Sequence, residues 1–110
     1  MWTQTKIYEY LVNNPLGVDV HIGDLEDMNG KDYIFLDYLN DYLIGSDDKG
    51  CYKTSIQFTV ATRDFDKRKI LTKYIQDQFN VQTSYEKDME FEYYLSRSTT
   101  ELVLWQNEEE

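Results

Sequence analysis

Residues 51–80 read CYKTSIQFTVATRDFDKRKILTKYIQDQFN, and a change of period inside this stretch decides the fold. Tyr52, Thr54, Ile56, Phe58 and Val60 alternate with Lys53, Ser55, Gln57, Thr59 and Ala61, the period of two that marks a strand with one buried face. β-Branched and aromatic side chains fill it, which suits a pleated surface. At Arg63-Asp64 the period changes. From Phe65 onward Ile70, Leu71, Tyr74, Ile75 and Phe79 fall at helical spacing and form one apolar stripe. Asp64 is a good N-cap, and Asp66 stands in the positive first turn. A long strand therefore runs into an amphipathic helix with almost no loop, and the other elements must pack on that pair.

Upstream, Thr3 or Thr5 caps a first helix carrying Ile7, Tyr8, Tyr10, Leu11 and Val12. Asn13-Asn14-Pro15 stops it, because proline pushes its predecessor out of the α region. Gly17 completes the turn, and Val18–Ile22 forms a short strand. GDLEDMNGKD (23–32) is a loop by composition. Tyr33–Ile44 is a second long strand with Ile34, Leu36, Tyr38, Tyr42 and Ile44 on one face. GSDDKG (45–50) closes it into a hairpin with the strand at 51. Both polar, glycine-containing loops, Gly23–Asp32 and Gly45–Gly50, are expected to be mobile in the free protein and to order on assembly.

Downstream, Val81–Ser84 reads as a link. Tyr85, Lys87, Met89, Phe91, Tyr93 and Leu95 alternate with Glu86, Asp88, Glu90, Glu92 and Tyr94, which predicts one half-buried strand over 85–95. A short turn near Arg97-Ser98 then leads to a last strand at Leu102–Trp105. The expected fold is α+β in the order α-β-β-β-α-β-β: a two-layer sandwich of a mostly antiparallel sheet with two helices on one face. Residues 1–105 form a single domain and 106–110 an acidic, flexible tail. Ile56, Phe58, Val60, Leu71, Ile75, Phe91 and Tyr93 are expected to be buried together.

The chain has 110 residues and a net charge of −10, from 21 acids against 11 bases. Such a surface repels phosphate backbones and argues against a conventional nucleic-acid binder. It suits a partner of a basic surface, or the wall of a channel through which DNA slides. Hydrophobic residues at 41% and aromatics at 15% argue against disorder. The single cysteine excludes an internal disulfide and a cysteine-based zinc site. No apolar run approaches the ~18 residues of a membrane span, and MWTQTKIYEY lacks a signal-peptide core. The chain reads as cytosolic.

Catalytic chemistry has little to stand on. His21 is the only histidine, and Cys51 has no basic partner in the sequence pattern, so both read as structural. Asp37 and Asp41 lie at i and i+4 on one strand face and read as solvated acids. Gly30 in GDLEDMNGKD mimics the EF-hand glycine, but Leu25 falls in the first ligand slot and a strand follows, so the match fails. Asp24, Glu26 and Asp27 remain a weak cation site at most. No enzyme, metal or cofactor is expected. The charge pattern says more. Arg63, Lys67, Arg68, Lys69 and Lys73 gather five of the eleven bases around the start of the second helix, whereas Asp24 to Asp48 holds eight acids. Bases there oppose the helix dipole, a mild cost that an acidic neighbour would offset. Separate acidic and basic regions on one small domain permit head-to-tail packing into a ring. The expected contacts pair Lys67, Arg68 and Lys69 with Asp47 and Asp48.

These features together resemble a phage family, the tail-completion (tail-terminator, head–tail joining) proteins of long-tailed, non-contractile bacteriophages and prophages. The resemblance rests on the helix with IYEYLVNN, the weak strand VDVHIG, the DYIFLDY strand after a variable loop, and above all TSIQFTVATRDFDKRKILTKYIQDQF. It covers nearly the whole chain through element order and one soft motif. It implies a virion structural protein, present in the host cytoplasm during assembly, that forms a ring, usually a hexamer. That ring ends the tail tube and joins it to the head connector, with no catalysis, cofactor or membrane, while DNA passes through without specific binding. The competing reading is a small acidic protein that mimics DNA or inhibits an enzyme by blocking its basic surface. It rests on Glu86, Asp88, Glu90 and Glu92, whose carboxylates would recur at ~6.6–7 Å along one strand face, close to phosphate spacing.

Overall fold

A computed structural model describes residues 2–23, 31–43, 51–90 and 92–105, with side chains at all of these except 40–43 and 105. The chain is α+β: two helices and a five-stranded mixed sheet. In order these are α1 (Gln4–Val12), β1 (Asp19–Ile22), β2 (Tyr33–Leu43), β3 (Cys51–Thr62), α2 (Phe65–Gln78), β4 (Gln82–Asp88) and β5 (Tyr93–Trp105). Across the sheet the strands run β1-β2-β3-β5-β4.

Local chemistry sets both helix starts. Thr3 Oγ1 accepts the Lys6 amide at 3.1 Å, and Asp64 Oδ1 accepts the amides of Asp66 (2.8 Å) and Lys67 (3.2 Å). Each cap satisfies donors that a helix start leaves without intrahelical partners. The exit of α1 depends on Asn14, which is buried. Its Nδ2 donates to the carbonyls of Leu11 (2.9 Å) and Val18 (2.8 Å), and its Oδ1 accepts from the amides of Leu16 (3.1 Å) and Val18 (3.0 Å). One side chain thus replaces the backbone pairing that the turn lacks. Gly17, at φ 64, takes the left-handed conformation in the same turn.

The core fills one face of the sheet. Ile7 and Leu11 of α1 and Leu71 and Ile75 of α2, with Phe79, join Ile34, Leu36, Ile56, Phe58, Val60 and Leu104 in a single buried cluster. The helices are clasped to each other by Tyr10 and Tyr74. Their rings stack at 4.3 Å, and each hydroxyl donates to the other's backbone carbonyl, at 2.6 and 2.7 Å. Tyr10 lies in the last turn of α1, whose carbonyls have no intrahelical donor, so the Tyr74 hydroxyl satisfies a group that would otherwise need water. Burial and the neighbouring Tyr74 and Asp77 push the Tyr10 phenol up to about 12.

Four expectations need correction. The sheet is mixed rather than mostly antiparallel, because β1 runs parallel to β2 with Val20 opposite Ile34. Four residues of alternation carry no direction, and the ten residues from Gly23 to Asp32 are too many for a tight hairpin and enough to bring the chain back to the same end. The strand expected over 85–95 is instead a hairpin: β4 and β5 pair antiparallel from Gln82/Thr99 to Asp88/Tyr93. Asp88 Oδ1 accepts the Glu90 amide at 3.0 Å, and Glu92 takes φ 61, so the chain reverses between them. Arg97 and Ser98, read as a turn, sit in mid-strand opposite Thr59 and Phe58. Finally, Tyr93 does not join the main cluster. It packs with Phe35, Ala61 and Leu95 in a second cluster, since the reversal at 89–92 resets its face. Phe91 lies outside the described residues.

Candidate functional site

The basic start of α2 is the surface that the charge pattern singles out, and its members are engaged in different ways. Lys67 Nζ donates to Asp32 Oδ2 at 3.3 Å, a partly exposed ion pair. Lys73 pairs with Asp77 one turn on, at 3.0 Å, and the Arg63 guanidinium lies 5.1 Å from the centre of the Tyr93 ring. Lys69 is exposed. The acidic candidates Asp47 and Asp48 lie outside the described residues.

Arg68 is a different kind of residue from the lysines beside it. Its guanidinium stands 4.9 Å from the Phe65 ring, 5.0 Å from Tyr85 and 5.4 Å from Tyr94. Its Nη1 donates to the carbonyls of Glu86 and Leu95, both at 3.3 Å, which face each other across β4 and β5. Arginine suits this position because a planar, weakly hydrated cation stacks on rings and donates in fixed directions. Phe65 and Tyr94 meet edge to face at 5.6 Å, and Lys87 Nζ lies 5.1 Å from the centre of the same Tyr94 ring. Three rings and two cations thus form one surface where α2 meets the β4–β5 hairpin. Phe65 is 53% and Tyr85 55% exposed.

No protein-family model matches this chain, and no curated protein matches it. The surface must therefore be judged by its own chemistry. Aromatic side chains backing arginine are enriched at the energetic centres of protein interfaces. Below the patch, α2 meets β5 through hydroxyls. Thr72 Oγ1 donates to the Arg68 carbonyl at 2.6 Å, so Ser96 Oγ must donate in the buried 2.6 Å contact between Thr72 and Ser96.

The other residues singled out by sequence lie apart from this patch. His21 is half-buried with its ring edge-on to Phe35 at 5.6 Å. Cys51 is half-buried and pairs with Trp105 in the β3–β5 ladder. Asp37 is half-buried on β2, whereas the Asp41 side chain and all of Asp24, Glu26 and Asp27 lie outside the described residues. Among the described residues no group of three or more His, Cys, Asp and Glu side chains could hold a metal ion. The carboxylate row is also corrected. Glu86 lies in β4 and accepts from Arg97 Nε at 2.6 Å, Asp88 accepts the Glu90 amide, and Glu90 and Glu92 belong to the reversal. The acids therefore do not recur along one strand face, and the spacing that favoured DNA mimicry is lost. Sequence reading missed Phe65, Tyr85, Lys87 and Tyr94 as a group. Lys87 and Tyr94 stand opposite each other only because the chain reverses between them.

Proposed function

We propose that this chain is a structural, non-catalytic tail-completion protein of a long-tailed, non-contractile phage, forming a ring that ends the tail tube and meets the head connector. In this reading the domain is a two-layer sandwich whose helices cover one face and whose opposite face lines the DNA path. The observation that carries the reading is the joint between β3 and α2. A twelve-residue strand passes through Arg63-Asp64 into a capped fourteen-residue helix, in the stretch on which the family resemblance mainly rests. The face away from the helices suits a wall that does not hold DNA. Its bases Lys53 and Arg97 are paired with Glu101 (3.5 Å) and Glu86 (2.6 Å), and Gln57, Ser84 and Thr99 add polarity without charge. Cations already paired with carboxylates are poorly placed to displace the counterions condensed on the phosphates.

The ring contact would bring the α2 start of one copy to acids of the next. Asp47 and Asp48 lie in the segment between Leu43 and Cys51. Cys51 pairs with Trp105, whereas Thr62, just before α2, pairs with Tyr94, so β3 begins at the end of the sheet opposite the start of α2. Electron microscopy of the purified protein mixed with tail tubes from the phage or prophage that carries its gene tests the proposal. A ring on one end of each tube is expected; bare tube ends at saturating protein would refute it.

A further inference from the structure

Four of the ten described Lys and Arg side chains, Lys53, Lys67, Lys73 and Arg97, each form an ion pair with a carboxylate. Arg68, Lys69 and Lys87 do not. Among the described residues no carboxylate lies within ion-pair distance of these three, in a chain with 21 acids and 11 bases. Arg68 and Lys87 rest instead on aromatic faces, with Phe65 and Tyr85 more than half exposed. Cations backed by rings in this way keep their charge available to an anionic segment while the rings supply apolar contact.

We propose that this patch is the seat for the acidic segment 106–110, Gln-Asn-Glu-Glu-Glu, of a second copy of the chain. The geometry rules out the same copy. Residue 106 follows Trp105, which pairs with Cys51, while Tyr94 of the patch pairs with Thr62 at the other end of the same ladder. The strand between Tyr94 and Trp105 spans roughly 36 Å at the usual rise. Five extended residues reach at most about 18 Å. The segment therefore meets the patch only on a neighbour, and patch and segment are different surfaces, so the contact is head-to-tail and propagates until it closes. Segment 106–110 is also a better match than 45–50. It carries three carboxylates and no base, whereas Asp47 and Asp48 are followed by Lys49. Asp66 follows Phe65 in α2, and Glu90 and Glu92 belong to the reversal between β4 and β5, so the attraction is local to the ring-backed cations and is not a charge of that whole end. This inference rests on the ring reading and names its contact.

The test uses the full chain and reads self-association by sedimentation equilibrium. Variants are Lys87→Glu on the patch with Lys69→Glu beside it, one helical turn from Phe65, and Glu108→Lys, Glu109→Lys and Glu110→Lys on the segment. The patch substitutions are at exposed positions, and circular dichroism checks their fold; the segment variant leaves the sheet untouched and reads the same contact independently. Each variant should weaken association about tenfold or more, since charge reversal replaces attraction by repulsion. Combining the two sets should restore most of it. Association unchanged by the segment variant but lost in Asp47→Lys with Asp48→Lys would overturn this contact and leave the ring reading standing. A wild-type chain that stays monomeric alone and on tail tubes, and a peptide of residues 104–110 that does not bind it, would overturn both.

Discussion

Replacing Arg68 by alanine should destabilise the domain by about 2–3 kcal/mol, while the same change at the adjacent Lys69 should cost no more than about 0.5. The figure follows from what each side chain touches. Arg68 stands over three rings at 4.9–5.4 Å, contacts worth about 0.5–1 kcal/mol each when partly exposed. It also makes two hydrogen bonds at 3.3 Å, long enough to fall at the weak end of the usual ~0.5–1.5 kcal/mol. The terms share one guanidinium and do not add fully, which brings the sum to about 2–3 kcal/mol. In urea, with a slope of roughly 1–3 kcal/mol per molar, the midpoint should fall by about 1–3 M. Arg68→Lys should recover less than half, because an ammonium cannot stack flat or reach both carbonyls. Midpoints for Arg68→Ala and Lys69→Ala that agree within error would refute the reasoning. The practical consequence is that charge reversal across Lys67, Arg68 and Lys69 together would mix an association effect with a folding one.

Three further outcomes are expected. Asn14→Ala should cost about 3 kcal/mol, since it removes four hydrogen bonds at one buried turn, against well under ~1 for exposed Asn13, whose Nδ2 makes one; thermal melts separate the two. Phe58→Ala should cost about 3–5 kcal/mol, because the ring is fully buried and stacks on Phe79 at 4.9 Å; an unchanged melting temperature would mean that the buried face of β3 is assigned backwards. The third is a pH effect. The Tyr10 phenol is pushed up to about 12, by burial first and then by Tyr74 and Asp77, so between pH ~10 and ~12 the unfolded chain ionises here while the folded one does not. Stability from this group is therefore constant below ~10 and declines across that window. The urea midpoint of wild type should fall more steeply there than that of Tyr10→Phe, narrowing the gap between them.

The parts of the fold legible in the sequence are those where one period runs long enough to exclude its rival. β3 and α2 are such elements, and Ile56, Phe58, Val60, Leu71 and Ile75 all lie in the main cluster. The β4–β5 hairpin was illegible because its alternation is nearly symmetric across the reversal. Tyr85 and Met89 look like core positions yet are 55% and 80% exposed, and the reversal depends on Asp88 bonding a nearby amide and on Glu92 adopting a left-handed backbone. Neither residue announces that in one sequence. The direction of β1 was equally hidden, since pairing sense depends on where a ten-residue connection ends. At the candidate surface, sequence located the basic cluster but could not tell Arg68 from its neighbours. What distinguishes it is its proximity to Tyr85 and Tyr94, which follow from the misread hairpin.

The seat of α1 also has a consequence for how the chain is made. Trp2 bridges Leu104 of β5, and its ring packs on Phe79 at 4.9 Å. Gln4 donates to the Tyr52 hydroxyl at 2.9 Å, and Tyr10 waits for Tyr74. α1 is thus completed by β5, which is made about a hundred residues later. At roughly 5–20 residues per second, the ~100 residues between Trp2 and Leu104 hold Ile7 and Leu11 without their final neighbours for about 5–20 s. Nine residues of helix are too few to persist alone in water over that time. Native structure should therefore appear only once β5 has emerged, and a nascent chain arrested before β5 should be readily cut by protease within residues 2–22.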